Sequence, residues 1–289
     1  MTDQGFSPIN FLFPGLPLPR NRRRDAAHIK MRAVYLDIIK ERRKHDLESE
    51  EEHDMIWNLM NCSYKSRTPI PDKEIAHMMI TLLMGGQHSS SSAGSWIMLR
   101  LAAHPNIAEE LFQEQVQNLG RGSKGGRLPP LQYSDLDKLP LLHNVVKETL
   151  RLHGSIHSIL RKVLLSSPMA TSTSEEFFRD AKTWNPHRWD KPEEGVAAAV
   201  DEEVVDYGYG ATTSGSRSPY LPFGAGRHRC IGEKFAYLNL GVIVGTLVRN
   251  FEFSSMDGQE GVVPPTDHTS MFARPPQPSF VRWTRREYD

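Results

Sequence analysis

The stretch "PFGAGRHRCIGE", Pro222 to Glu233, sets one of the chain's two cysteines among three glycines and three basic side chains. A lone cysteine is ordinarily a small buried hydrophobe. Here the apolar run that follows, "IGEKFAYLNLGVIVGTLVRNF" (231–251), predicts a buried helix. The partial positive charge at its N-terminus favours a thiolate at Cys230. Arg227, His228 and Arg229 add positive charge just upstream. Gly224, Gly226 and Gly232 permit turns and close backbone approaches that other residues do not. Close backbone, a thiolate and cations suit a planar, dianionic ligand with a metal at its centre, and heme has that form.

Outward from this motif, the chain has 289 residues, 35 acidic and 35 basic, and no formal net charge. That length suits one large domain or two small ones. Zero net charge argues against nucleic acid as a partner, since phosphate binding normally needs a basic excess. Cys62 and Cys230 make neither a disulfide framework nor a zinc site, and the expected compartment is reducing. No apolar run reaches the length needed to span a bilayer, and no signal-peptide pattern opens the chain. The opening "GFSPINFLFPGLPLP" (5–19) is apolar and broken by prolines, like the middle of a domain.

Periodicity predicts a mainly α fold with minor β. A helix is expected over Asp25–His45, with Ile29, Val34, Ile38 and Ile39 on one face. The cluster Arg20, Arg22, Arg23 and Arg24 before it reads as a solvated face or a lipid-headgroup contact. A long helix should start near Asp72, a plausible cap, and continue to about Ala103 through Gly85-Gly86 and "QHSSSS". Residues 105–119 form another, opened by Pro105 and stopped by Gly120. "GRGSKGGR" (120–127) lacks phosphate-loop spacing and reads as a flexible loop. Ser134 to Asp137 suggests a capping box opening a helical stretch to about His153. A strand is expected at 156–163, a Ser/Thr-rich connector at 164–174, a long surface loop at 190–219, and short strands at "FEFSS" and "FVRWTR".

Three further motifs precede the cysteine. In "ETLR" (148–151), Glu148 and Arg151 are three apart on a predicted helix and can pair on one face. "WNPHRW" (184–189) places Arg188 downstream, and "GGQHS" (85–89) lies inside the long helix. "FGAGRHRCIG" matches F-x-x-G-x-[R/H]-x-C-x-G at every position. With these motifs in order, the chain resembles the cytochrome P-450 family of heme-thiolate monooxygenases. His88, where the family usually has an acid, together with "HMMITLLMGGQHSSSSAGSWIMLRLAAHP" and "RLHGSIHSILR", is similar to its fungal sterol 14α-demethylase branch.

The resemblance implies heme b (iron protoporphyrin IX), with Cys230 as axial ligand of the iron within Phe223, Gly224, His228, Cys230, Ile231 and Gly232. Arg161 and His228 would meet the propionates, and Glu148, Arg151 and Arg188 would form a cluster beneath the heme. His88 and Ser89 would deliver protons during oxygen activation, while Gly86 leaves room over the heme. Ile156, His157, Ser158, Ile159, Ser270 and Met271 would line a sterol pocket. The implied reaction removes the 14α-methyl of a lanosterol- or eburicol-type sterol. It uses O2 and electrons from an NADPH-dependent reductase, at the cytosolic face of the endoplasmic reticulum membrane.

Against the family pattern, residues 1–289 read as the C-terminal portion of a single domain. The N-terminal part with its anchor would lie outside the chain, and a strand-bearing segment is missing near 164–174. Ser155 stands where a proline is usual. Two functions follow: a sterol-oxidising monooxygenase, or a truncated, catalytically inactive remnant acting at most as a heme-binding or interaction protein.

Overall fold

A computed structural model describes residues 13, 15–44, 54–120, 128–156, 159–161, 164–190, 205–206, 211–212, 219–225, 229–268 and 272–287. The helices are α1 (Pro19–Lys44), α2 (Met55–Met60), α3 (Asp72–Ala103), α4 (Pro105–Leu119), α5 (Pro140–Leu152), α6 (Pro168–Ser172) and α7 (Glu233–Asn250). Short 3-10 turns cover Tyr133–Lys138 and Pro186–Trp189. The described strands form three antiparallel pairs: β1 (Ile159–Arg161) with β2 (Leu164–Ser166), β3 (Val205–Asp206) with β4 (Ala211–Thr212), and β5 (Phe251–Ser255) with β6 (Val281–Arg285). The fold is mainly α with minor β. No described helix is long and apolar enough to cross a membrane.

The chain divides into two compact units, Met1–His88 and Ser89–Asp289, with the boundary inside α3. In the first, Ile39, Ile56, Met60, Ile75 and Ala76 form the core. Helix α1 starts at Pro19, six residues before the expected Asp25, so the arginine cluster is helical. Its expected apolar face is only half used: Ile39 is buried, whereas Ile29 and Val34 are 56% and 58% exposed. Asp72 is not a cap but the first helical residue. The Pro71 carbonyl accepts from Glu74 and Ile75, while the Asp72 carboxylate binds Arg43 at 2.6 Å.

In the second unit, Ala93, Ile97 and Leu101 of α3 join Leu111 of α4, Leu142 and Val145 of α5, and Leu240, Val244 and Val248 of α7 in one core. A Cβ on Gly245 would stand 3.3 Å from a Leu142 methyl, so this glycine lets α7 approach α5 closely. Arg249, buried on α7, donates twice to the Gln115 side-chain oxygen and once to the Pro129 carbonyl. Helix α4 ends as expected. Gly120 has an ordinary φ of −76°, but a Cβ there would clash with the Val116 carbonyl oxygen.

Four expectations need correction in this unit. The helical stretch to His153 is broken at Leu139, where Pro140 starts a new helix; proline has no N–H to continue the preceding turn. The acid of the cap is Asp135, accepting from the Gln132 N–H, rather than Asp137. The connector at 164–174 contains β2 and α6, whose N-cap Ser167 accepts from Ala170. Helix α7 is not buried all round. Leu240, Val244 and Val248 face the core, and Phe235 and Ile243 are exposed.

Candidate functional site

The described ends of the cysteine loop are tied together by backbone hydrogen bonds. The Cys230 N–H donates to the Phe223 carbonyl at 2.8 Å, and the Gly224 N–H to the Leu221 carbonyl at 3.1 Å. Between them Gly224 turns at φ 72°, in the left-handed region that side chains other than glycine resist. Cys230 is exposed immediately before α7, and its carbonyl accepts from Glu233. Gly232 is the N-cap, and a Cβ there would stand 3.7 Å from the Cys230 Sγ. Of the three basic residues, Arg229 pairs with Glu233 of the first helical turn at 2.6 Å. Its charge is thereby directed to that carboxylate, a use that sequence spacing (i, i+4) could have signalled. Gly226, Arg227 and His228 lie outside the described residues.

The loop is seated on aromatic side chains. Phe223 packs against Tyr237 of α7 with ring centroids 5.4 Å apart. The Tyr237 and Tyr220 hydroxyls are 2.8 Å apart, and the Tyr220 hydroxyl also donates to the Lys147 carbonyl of α5. Burial pushes the Tyr237 hydroxyl up to about 12 and raises that of Tyr220 as well. Both therefore remain protonated donors at neutral pH. Lys147 lies 3.9 Å above the Trp189 ring, and burial lowers its pKa.

Glu148, Arg151 and Arg188 meet in a buried ionic cluster. Arg151 forks onto both Glu148 oxygens at 2.8 and 2.9 Å, and the Arg188 Nε lies 3.4 Å from one of them. The Trp189 indole and the Asn185 backbone N–H also donate to Glu148, at 3.0 and 3.1 Å. The arginines donate onward to main chain: Arg151 to the Ser172, Ala181 and Thr183 carbonyls, Arg188 to those of Arg179, Asp180 and Thr183. Buried charges persist only when paired and hydrogen-bonded on every side. This cluster meets that condition and binds α5 to the segment 172–189. Sequence reading supplied the three charges but missed Trp189 and the carbonyls. The tryptophans flanking Arg188 in "WNPHRW" were the available signal.

On α3 the helix runs without a break through Gly85 and Gly86, where an added Cβ would meet nothing within 4 Å. His88 and Ser89 are half-buried, and the Ser155 hydroxyl lies 3.4 Å from the Ser89 carbonyl. Ile156 is exposed. Ile159 and Arg161 open and close β1, in register with Ser166 and Leu164. His157, Ser158, Ser270 and Met271 lie outside the described residues.

The family model described as Cytochrome P-450 matches residues 1–166 and 162–283. This chain belongs to the cytochrome P-450 family. Family membership implies a heme-iron cofactor. The observed loop fits one: an exposed thiol, a left-handed glycine before it, and a bare N-cap beside the sulfur. Among curated proteins, the chain is similar to a sterol 14-alpha demethylase of Gibberella zeae, 64% identical over 304 residues, covering 99% of this chain and 59% of that one. A sterol 14-alpha demethylase of Aspergillus fumigatus is 55% identical over 98% of this chain and 58% of its own length. An eburicol 14-alpha-demethylase of Penicillium italicum is 54% identical over 98% and 58%. The chain thus spans less than two thirds of these relatives. A crystal structure of a cytochrome P-450 shares the fold, with TM-score 0.71 and 21% identity over 92% of this chain and 58% of that one.

Proposed function

We propose that this chain is the C-terminal portion of a single cytochrome P-450 domain that binds heme b at Cys230 and takes part in sterol 14α-demethylation. The observation that carries the reading is the Cys230 thiol, exposed in a loop fixed by the Phe223–Cys230 backbone bond and the left-handed Gly224. The names borne by the relatives support the substrate class, and the family match on both sides of residue 88 supports a single domain. Bound there, heme b supplies the O2 activation by which a lanosterol- or eburicol-type sterol loses its 14α-methyl.

The chain's residues have separate tasks in this reading. Cys230 would give its thiolate to the iron; Phe223, Gly224, Ile231 and Gly232 would let the ring lie against the loop; Arg161 and His228 would neutralise the propionates. His88 and Ser89 on α3 hold and pass protons, and Gly86 keeps side chains clear. Ile156, His157, Ser158, Ile159, Ser270 and Met271 orient the sterol and exclude water. An NADPH-dependent reductase supplies electrons, at the cytosolic face of the endoplasmic reticulum membrane.

A second reading, a heme-binding or interaction protein without turnover, is favoured by the exposure of Leu82 and Leu83 on α3, 37% and 50%. The test is the carbon-monoxide difference spectrum of the reduced, heme-loaded chain, with formate release from lanosterol and eburicol. A thiolate-type spectrum that Cys230→Ala abolishes, accompanied by turnover, is expected. An unchanged spectrum in the variant moves the ligand elsewhere, and a thiolate spectrum without turnover selects the second reading.

A further inference from the structure

Ser92 sits on the buried face of α3 beside Ala93 and Trp96. A hydroxyl in such a place is destabilising unless bonded. Its neighbour Ser95 bonds back to the Ser91 carbonyl within the helix, the usual recourse. Ser92 instead donates at 2.6 Å to the carbonyl of Ala273, which is fully buried. The Ala273 N–H donates at 3.0 Å to the Ser155 carbonyl. The Ser155 hydroxyl donates at 3.4 Å to the Ser89 carbonyl. Ser89 and Ser92 are three apart on one helix face, so the path closes on itself.

We infer that this hydrogen-bonded ring, Ser92–Ala273–Ser155–Ser89, fixes residues 155–156 and 272–273 to α3 beside the proposed sterol pocket, with Ser92 as its positioning residue. The inference rests on the function proposed above. Ser155 directly precedes the wall stretch beginning at Ile156, and Ala273 follows the stretch Ser270–Met271 by two residues. Ser155 and Ala273 are thereby anchored to the helix that carries Ser89. Ser155 takes part through both its hydroxyl and its carbonyl, so the ring closes only with a hydroxyl at position 155.

The test is hydrogen exchange and sterol binding in the full chain and in Ser92→Ala, Ser92→Thr and Ser155→Ala. In Ser92→Ala, exchange should accelerate in peptides covering 153–156 and 272–275 and stay unchanged over α4, while Ser92→Thr restores protection. Ser155→Ala, at a half-buried position, repeats the measurement without disturbing the core. With heme content and carbon-monoxide spectrum unchanged, the dissociation constant for lanosterol should rise roughly tenfold in Ser92→Ala. Unaltered exchange at both segments overturns the ring. Altered exchange with unaltered sterol affinity overturns its positioning role. A parent chain that binds no sterol overturns the proposed function and the positioning role with it, while the exchange contrast still decides the ring.

Discussion

Gly224, at φ 72°, is a residue whose side chain is excluded by the backbone alone. Gly224→Ala should destabilise the cysteine loop by about 1–2 kcal/mol, the cost of left-handed backbone for an L-residue. Urea unfolding would read it, and an unaltered midpoint would refute it. The sequence motif located this glycine, but no pattern located His153. The His153 Nε2 accepts from Arg100 at 2.9 and 3.1 Å, its ring stacks on Trp96 at 3.8 Å, and its Nδ1 is buried without a partner. Arginine can only donate, so the Nε2 is bare and the ring is neutral. Burial, with Arg100 and Arg151 nearby, pushes its pKa down to about 3. A histidine with a depressed pKa stabilises fully above its unfolded value and loses that stabilisation as pH falls toward the folded value. Between pH 7.5 and 5 the loss should be about 2 kcal/mol. His153→Gln should flatten this part of the pH dependence of urea unfolding; equal slopes in parent and variant would count against it. Nothing in the local sequence marks His153, because its partners come from α3, more than fifty positions upstream.

At the scale of elements, legibility followed where the determinants lay. Pro105 and Gly120 bracket α4 from within its own sequence, and both ends were readable. The start of α1 was not, because "PRNRRR" has no apolar period to betray a helix. Strand β1 lies within the strand expected at 156–163, but β2 was hidden because leucine and serine at 164–166 acquire strand geometry only from their partner. The acid and two bases of the Glu148 cluster were legible as motifs, but their carbonyl acceptors carry no side-chain signature. Glu148→Gln should lower stability by about 3–5 kcal/mol, since it leaves Arg151 charged and buried without its carboxylate. A loss below 1 kcal/mol in denaturant titration would show the guanidinium to be satisfied by main chain alone. Helix α3 makes the opposite prediction. With open space around both glycines, Gly85→Ala and Gly86→Ala should each stabilise the chain by about 1 kcal/mol. Only Gly86→Ala should reduce heme uptake, measured by Soret absorbance, if Gly86 provides the clearance proposed for it.

For the molecule as a whole, apolar side chains remain in solvent on several elements: Leu82 and Leu83 on α3, Ile231 beside Cys230, Phe235 on α7, and Trp283 on β6. Scattered exposed hydrophobes are ordinary, but adjoining ones promote association. The isolated chain should therefore self-associate at micromolar concentration and be dispersed by mild detergent. A single monomeric species in sedimentation velocity without detergent would refute this. The Glu148 cluster has a consequence of another kind, for the order in which the molecule can be made. Every group that it gathers, from Arg151 through Ser172, Arg179, Asp180, Ala181, Thr183 and Asn185 to Arg188 and Trp189, is encoded before Cys230. Synthesis delivers the N-terminal parts of a chain first. The knot thus has all of its groups while the cysteine is still untranslated, so its closure does not wait on the thiol.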